Sequence, residues 1–355
     1  MKNKINLLLL LTLPFLIISC SGKENQAKII PQVDTPTPAI QTQSNRPSLG
    51  RPISVPSSVK RPIEREEIPR SRPAPIVEQR AKHGESHYSK RFKLSNTIRE
   101  SSGLIKVDNR LWTLNDSGGK AALYQIDERN GRIVKTLNIQ NASNKDWEDI
   151  AYDDTYVYIG DFGNNRGNRR DLKVYKIPRA SLRTGKSARA EIIHFSYNDQ
   201  KDFKSRPQQT NYDCEAMIAY NGKLYLFSKN WQNQKTRLYE LSTRAGKHQA
   251  KYIRTFNTQG MVTGATINKE LNILLLSTYS SLLNVNVWAF TNFHGSNVFN
   301  GDAKRLNFDI PLQSQVEGIT FTDNYKAYLG SEAFKKYIFS LDATLYNLDF
   351  SGEFE

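Results

Sequence analysis

Histidine is scarce in this chain of 355 residues: there are five, and none lies inside the motifs that recur along it. His83 and His87 lie in or near a proline-rich N-terminal stretch, while His194, His248 and His294 fall outside the motifs. A zinc site or a Ser-His-Asp triad is therefore poorly supported. Cysteine is scarcer still, with only Cys20 and Cys214, so the chain is no disulfide scaffold. A dense basic run is also missing. The formal charge is +15, yet 13 Lys/Arg against 7 Asp/Glu sit in residues 21–91, and residues 92–355 hold 35 basic and 28 acidic side chains. With no nucleic-acid motif beside them, these numbers exclude a nucleic-acid-binding reading. Sustained helical periodicity next to capping signals is absent, as is an apolar run long enough to span a bilayer.

What the N-terminus does hold is an address. Lys2 and Lys4 precede an apolar run from Leu7 to Ile18 that Pro14 interrupts, the pattern of a signal peptide over residues 1–19. Ile17-Ile18-Ser19-Cys20 resembles the lipobox of bacterial lipoproteins. That resemblance implies a diacylated Cys20 as the mature N-terminus and a membrane partner through the lipid. Ser21 in place of Asp points to the outer membrane. With Cys20 lipidated, Cys214 has no intramolecular partner. Residues 20–91 carry repeated Arg-Pro pairs (Arg46-Pro47, Arg51-Pro52, Arg61-Pro62, Arg72-Pro73) and too little apolar content for a core. They read as a semi-rigid, disordered tether.

Residues 92–355 repeat one phrase five times: a polar residue, a small residue, an aliphatic strand, a turn, and a second strand ending in a polar residue. The copies begin at Glu100, Glu148, Glu215, Thr263 and Glu317, and their second strands end at Asp116, Asp161, Lys229, Thr278 and Glu332. A third strand often follows, as at 122–127, 172–177, 237–241 and 337–341. Repeated antiparallel meanders of this length predict an all-β fold, a β-propeller with five visible repeats. A sixth blade has room between Glu148 and Glu215, and Arg91–Ile98 is expected to close the ring beside the last blade.

In such a blade the start of the first strand and the end of the second share one face. Glu100, Asp116, Glu148, Asp161, Glu215, Glu317 and Glu332 should therefore converge with Lys229 at one mouth of the channel. Crowded carboxylates raise one another's pKa or demand a cation. Oxygen ligands from this set, with Asn115, Asn164 and Asn165 nearby, suit Ca²⁺ or Mg²⁺. The structural alternative for any one carboxylate is a buried acceptor of backbone amides from the neighbouring blade. Asp161-Phe162-Gly163-Asn164-Asn165 reads as a tight turn that presents Asp161, and Arg166, Arg169 and Arg170 beyond it as either an anion clamp or a solvated loop. Cys214 reads as a buried small residue, and Trp112 and Trp147 as core.

The set Glu100-Ser101-Ser102-Gly103, Asn115-Asp116-Ser117-Gly118, Asp146-Trp147-Glu148-Asp149-Ile150-Ala151, Gly160-Asp161-Phe162-Gly163-Asn164-Asn165, Asp213-Cys214-Glu215-Ala216 and Glu317-Gly318-Ile319 resembles a group of exported bacterial propeller proteins. These are similar to the superfamily of esterase-like phytase domains and senescence-marker/gluconolactonase lactonases. The resemblance implies a divalent metal at the channel mouth, with Glu100, Glu148, Asp161 and Glu317 as the corresponding residues. The surplus of carboxylates and the presence of Lys229 depart from that pattern. Two functions stay open. One is a monomeric binding or scaffold propeller on a tether, with a cation at its acidic mouth and an envelope protein or small molecule as partner. The other is a metal-dependent hydrolase of a lactone, carboxylic ester or phosphoester, with Glu148, Asp161 and Glu317 on the metal and Glu215 as base.

Overall fold

The computed structural model describes residues 87–354, except 281–283, 309, 311–314 and 337–338. The signal peptide, Cys20 and the tether up to residue 86 lie outside the described residues. Short hairpins dominate what is described. Their turns fall where the sequence supplies residues that tolerate left-handed backbone: Asp108-Asn109 (φ 51° and 55°) and Asn221-Gly222 (φ 48° and 71°). Two-residue turns of this hand match the twist of the strands they join.

The hairpins build five four-stranded antiparallel blades, numbered from the first inner strand. Blade 1 comprises Ser101–Val107, Arg110–Asn115, Ala122–Ile126 and Ile133–Ile139. Blade 2 comprises Trp147–Tyr152, Tyr156–Asp161, Lys173–Pro178 and Glu191–Tyr197. Blade 3 comprises Asp213–Tyr220, Lys223–Lys229, Thr236–Ser242 and Gly246–Phe256. Blade 4 comprises Met261–Asn268, Ile273–Tyr279, Val285–Thr291 and Asp302–Asn307. Blade 5 comprises Val316–Asp323, Lys326–Ser331 and Thr344–Asp349, completed at its outer edge by His87–Lys93. Each inner strand packs against the inner strands of both neighbours, and that of blade 5 meets that of blade 1, so the ring is closed. Gly318 makes that last approach possible: a Cβ there would stand 2.5 Å from the Ser102 carbonyl and 2.9 Å from the Leu104 nitrogen.

Five apolar cores fill the five gaps between blades. Trp112 and Trp147 are wholly buried in the core between blades 1 and 2, and Cys214 is buried in the core between blades 2 and 3. Two more devices stitch the periphery. Glu191–Tyr197 pairs in parallel with the outer strand of blade 3, fusing blades 2 and 3 into one sheet of eight strands. Ser187–Ala188 pairs in parallel with the outer strand of blade 1.

Three expectations change. The stretch between Glu148 and Glu215 holds no sixth blade; it supplies the two outer strands of blade 2 and their loops. The third strand of blade 5 is Thr344–Asp349, not 337–341. Phe339–Leu341 instead forms a separate hairpin with Phe334–Lys336. Thr344–Asp349 wins because it is apolar on both faces, with Ala343 and Leu345 in the core toward blade 1 and Tyr346 and Leu348 in the core toward blade 4. The closing strand starts at His87 rather than Arg91, and Asn96–Ile98 is a 3-10 turn. His87 lies at the end of blade 5 away from the mouth, opposite Asp349.

Candidate functional site

Every inner strand carries a β-bulge at the same place near its first end. The ladder skips between Ser101 and Leu104, Trp147 and Asp149, Cys214 and Ala216, Val262 and Gly264, and Val316 and Gly318. The residues set free are Ser102 (with Gly103), Glu148, Glu215, Thr263 and Glu317. A bulge breaks strand alternation and re-aims a side chain. Around Glu148 three consecutive residues are consequently buried. Trp147 enters the core between blades 1 and 2, Glu148 joins the mouth, and Asp149 reaches the neighbouring inner strands.

Aligned on the bulges, the ends of the second strands are Asp116, Phe162, Lys229, Tyr279 and Glu332. A third layer, two residues before each bulge, is Glu100, Asp146, Asp213, Met261 and Gln315. Two of the residues singled out from the sequence are thus out of register. Glu100 stands two positions before the bulge, is half exposed at the rim and meets Arg99 at 3.5 Å. Asp161 stands one position before the mouth layer, so its side chain faces outward. There it pairs with Arg169 Nη2 at 2.8 Å and Lys173 Nζ at 3.6 Å.

The carboxylates that do converge centre on Glu148. Its carboxylate shares one close group with Asp116 and Asp146 and another with Asp213 and Glu215; within each group, ligand oxygens lie within 4.8 Å of one another. Glu148 is 3% exposed, and among the described residues its carboxylate accepts no hydrogen bond. Burial first, then the charges of Asp116, Glu215, Asp146 and Asp213, push its pKa well above the ordinary glutamate value. Burial followed by Asp116 and Asp213 raises Asp146 to about 7, against only a distant Arg169 contact at 3.9 Å. Asp116 rises to about 6, again through burial, with the Ser117 amide partly offsetting it.

Toward blades 4 and 5 the mouth changes character. Glu215 Oε2 accepts from Lys229 Nζ at 2.8 Å, and both side chains are buried. Burial alone would lower the lysine pKa, but Glu215, Tyr279, Glu317 and Asp213 together hold it well above the usual value. Its ammonium also lies 4.9 Å from the Trp231 ring centre and 5.3 Å from that of Tyr279. Glu317 rises to about 8, chiefly through burial, with Lys229 opposing. The buried Glu317 Oε2 has no hydrogen-bond partner. Glu332, half-buried, is raised by burial, then by Asp116.

Other residues named from the sequence turn out to be scaffolding. Asn164 brackets the blade 2–3 junction: its amide nitrogen donates to Asp213 Oδ1 (2.6 Å), its Nδ2 to the Tyr212 carbonyl (3.0 Å), and its Oδ1 accepts from the Arg169 amide (2.9 Å). Asn165 offers its backbone carbonyl to Gln208, and Asn115 Nδ2 donates to the Thr97 carbonyl. Asn115 Oδ1 is buried without a partner. Arg169 belongs to Asp161 and Asp171 and is no free anion clamp. Burial pushes the Cys214 thiol far up, so it is an inert core group. Asp149 is the satisfied structural carboxylate, accepting from the Met217, Ile150 and Ala265 amides. Asp146 and Asp213 sit inside the recurring motifs but outside the positions at which the copies begin and their second strands end. The signal that finds them is the spacing Asp-x-Glu, shared by Asp146-Trp147-Glu148 and Asp213-Cys214-Glu215.

The donor set is oxygen only, rich in charge and without histidine or thiolate, which fits a hard divalent cation. Gly163 keeps room for the carboxylates. A Cβ there would collide with Glu148 Oε1 and the Asp146 carboxyl.

No protein-family model matches the chain, and no curated protein matches it in sequence. Some solved structures show a limited likeness to it. One is the PQQ-bound aldose sugar dehydrogenase of Streptomyces coelicolor, with TM-score 0.44 and 10% identity over 75% of this chain and 98% of that one. Another is a gluconolactonase of Xanthomonas campestris, with TM-score 0.39 and 9% identity over 74% and 89%. Neither the substrate nor the cofactor of those proteins carries over from a likeness of this size.

Proposed function

We propose that this propeller is a binding module that holds a divalent cation, Ca²⁺ ahead of Mg²⁺, at the mouth between blades 1, 2 and 3. It presents that cation to a small ligand or envelope partner. Glu148 carries the reading: a buried carboxylate that accepts no hydrogen bond among the described residues, placed where two acidic groups meet. Such a group is costly without a cation, because burying an unpaired charge is unfavourable by several kcal/mol. Ca²⁺ is favoured because it accepts six to eight oxygens in irregular geometry, whereas Mg²⁺ retains water. Cys20, the lipobox and the tether support a lipoprotein of the outer membrane. The first described strand begins at the end of blade 5 away from the mouth, where His87 pairs with Asp349.

Calorimetry with Ca²⁺, Mg²⁺ and Mn²⁺ tests this on the wild type and Glu148→Gln. Saturable binding is expected, weakened at least about tenfold by the substitution, which corresponds to about 1.4 kcal/mol. Absence of both a binding heat and a change in melting temperature in the wild type would refute it.

One observation favours a second reading, a metal-dependent hydrolase. Asp146 and Glu317 titrate at about 7 and about 8, where a general acid or base is most effective. A panel of lactone, carboxylic ester and phosphoester substrates, with and without chelator, separates the two. Chelator-sensitive turnover establishes the enzyme, and its absence with intact cation binding leaves the binding module.

A further inference from the structure

Building on the proposed cation site, we infer that Lys229 is a tethered counter-ion that fills the blade 3–5 half of the mouth and limits it to one divalent cation. Lys229 occupies the position in blade 3 that Asp116 holds in blade 1 and Glu332 in blade 5, counted from the bulges. It is the one cationic side chain in that layer. An ion pair of 2.8 Å to Glu215 and the rings of Trp231 and Tyr279 fix its ammonium in place. The Trp231 indole is itself fixed by donating to Asp213 Oδ2 at 2.7 Å.

The acidic surroundings on that side exceed what one ammonium neutralises. Glu215, Glu317 and Glu332 all feel Lys229, and the buried Glu317 Oε2 remains without a hydrogen-bond partner. Glu215 also belongs to the group around Glu148, so it touches both halves. A fixed positive charge beside this shared carboxylate repels a second divalent ion and weakens the first. Without the ammonium, Glu215, Glu317 and Glu332 lose the cation they share, so their charge acts undiminished on a divalent ion in the mouth.

The experiment counts bound Mn²⁺ by electron paramagnetic resonance and Ca²⁺ by equilibrium dialysis, with thermal unfolding as the folding control. The proteins are the wild type, Lys229→Met, Lys229→Arg and Glu148→Gln. One cation per chain is expected in the wild type and in Lys229→Arg. Lys229→Met is expected to bind two, or one at least about tenfold more tightly. Wild-type stoichiometry and affinity in Lys229→Met would overturn the inference while leaving the cation site standing. Binding in Lys229→Met but not in the wild type would uphold the lysine's role and overturn the proposed function. Binding in neither overturns both. If Lys229→Met does not fold, Lys229→Gln replaces it, and two cations per chain in the wild type also refute the inference.

Discussion

Acidifying the metal-free protein from about pH 8 to about pH 5 should stabilise it, the reverse of ordinary acid denaturation. The mouth carboxylates have folded-state pKa values above their unfolded ones. The folded state therefore binds more protons in this window, and stability falls as pH rises through it. For Asp146 the rise is from 3.8 to about 7. At about 1.4 kcal/mol per unit this is about 4 kcal/mol, present below about pH 4 and lost by about pH 7. About 3 kcal/mol of it falls between about pH 5 and pH 8, because the unfolded aspartate is already ionised at about pH 5; at roughly 2 °C per kcal/mol in a domain of this size, the melting temperature is about 6 °C higher at the acidic end. Asp116, raised to about 6, and Glu317, raised to about 8, act in the same direction. Carboxylates held low by cationic partners, such as Asp171 at about 2, lose their contribution only below about pH 4, outside the window. The assay is thermal unfolding at about pH 5, 6, 7 and 8, in chelator and in saturating Ca²⁺. The cation should raise the melting temperature most at the alkaline end and flatten the slope, because it takes the place of the protons. A melting temperature that rises with pH in chelator, or a slope that Ca²⁺ leaves unchanged, would refute the reasoning.

Other substitutions separate scaffold from site. Arg169→Met leaves Asp161 buried without its closest cation and should cost about 3–5 kcal/mol by urea denaturation; a loss under about 1 kcal/mol would show that Lys173 suffices. Gly163→Ala should displace the Glu148 and Asp146 carboxylates and weaken Ca²⁺ binding about tenfold or more, whereas unchanged calorimetry would mean that the loop yields instead. Removing residues 1–93 takes away the outer strand of blade 5, and the melting temperature should fall sharply in circular dichroism. Removing only residues 1–80 leaves that strand, and the melting temperature should not change.

The propeller was legible because the phrase that repeats is an inner strand, a turn and a second strand, and those are the parts every blade builds alike. Outer strands are less constrained. Blade 2 spreads its third and fourth across a loop and a short helix, Ser181–Thr184, which in sequence leaves room for another blade. Blade 5 borrows its fourth strand from the other end of the described chain. The mouth was legible as a set of acids but not as a register. A bulge adds one unpaired residue and leaves no fixed mark in the sequence. Glu100 looks like the first polar residue of its copy, yet Ser102 occupies the bulge. Asp161 ends a strand as Asp116 follows one, and that offset of one residue turns its side chain outward.

The same bulges argue that the glutamates are more than architecture. In blade 1 the bulged Ser102 donates its hydroxyl to the Glu148 carbonyl of blade 2. In blade 4 the bulged Thr263 does the same to the Val316 carbonyl of blade 5, at 2.6 Å. A hydroxyl at this position therefore ties each blade to the next. An ionised carboxylate has no proton to donate there. Blades 2, 3 and 5 place glutamate at this position, forgo that tie and accept burial and mutual repulsion in exchange. A ring selected for closure alone would favour the hydroxyl in all five copies. The three glutamates, together with Asp146 and Asp213 two residues before two of them, make sense as ligands for a charge that the chain supplies only in part, through Lys229.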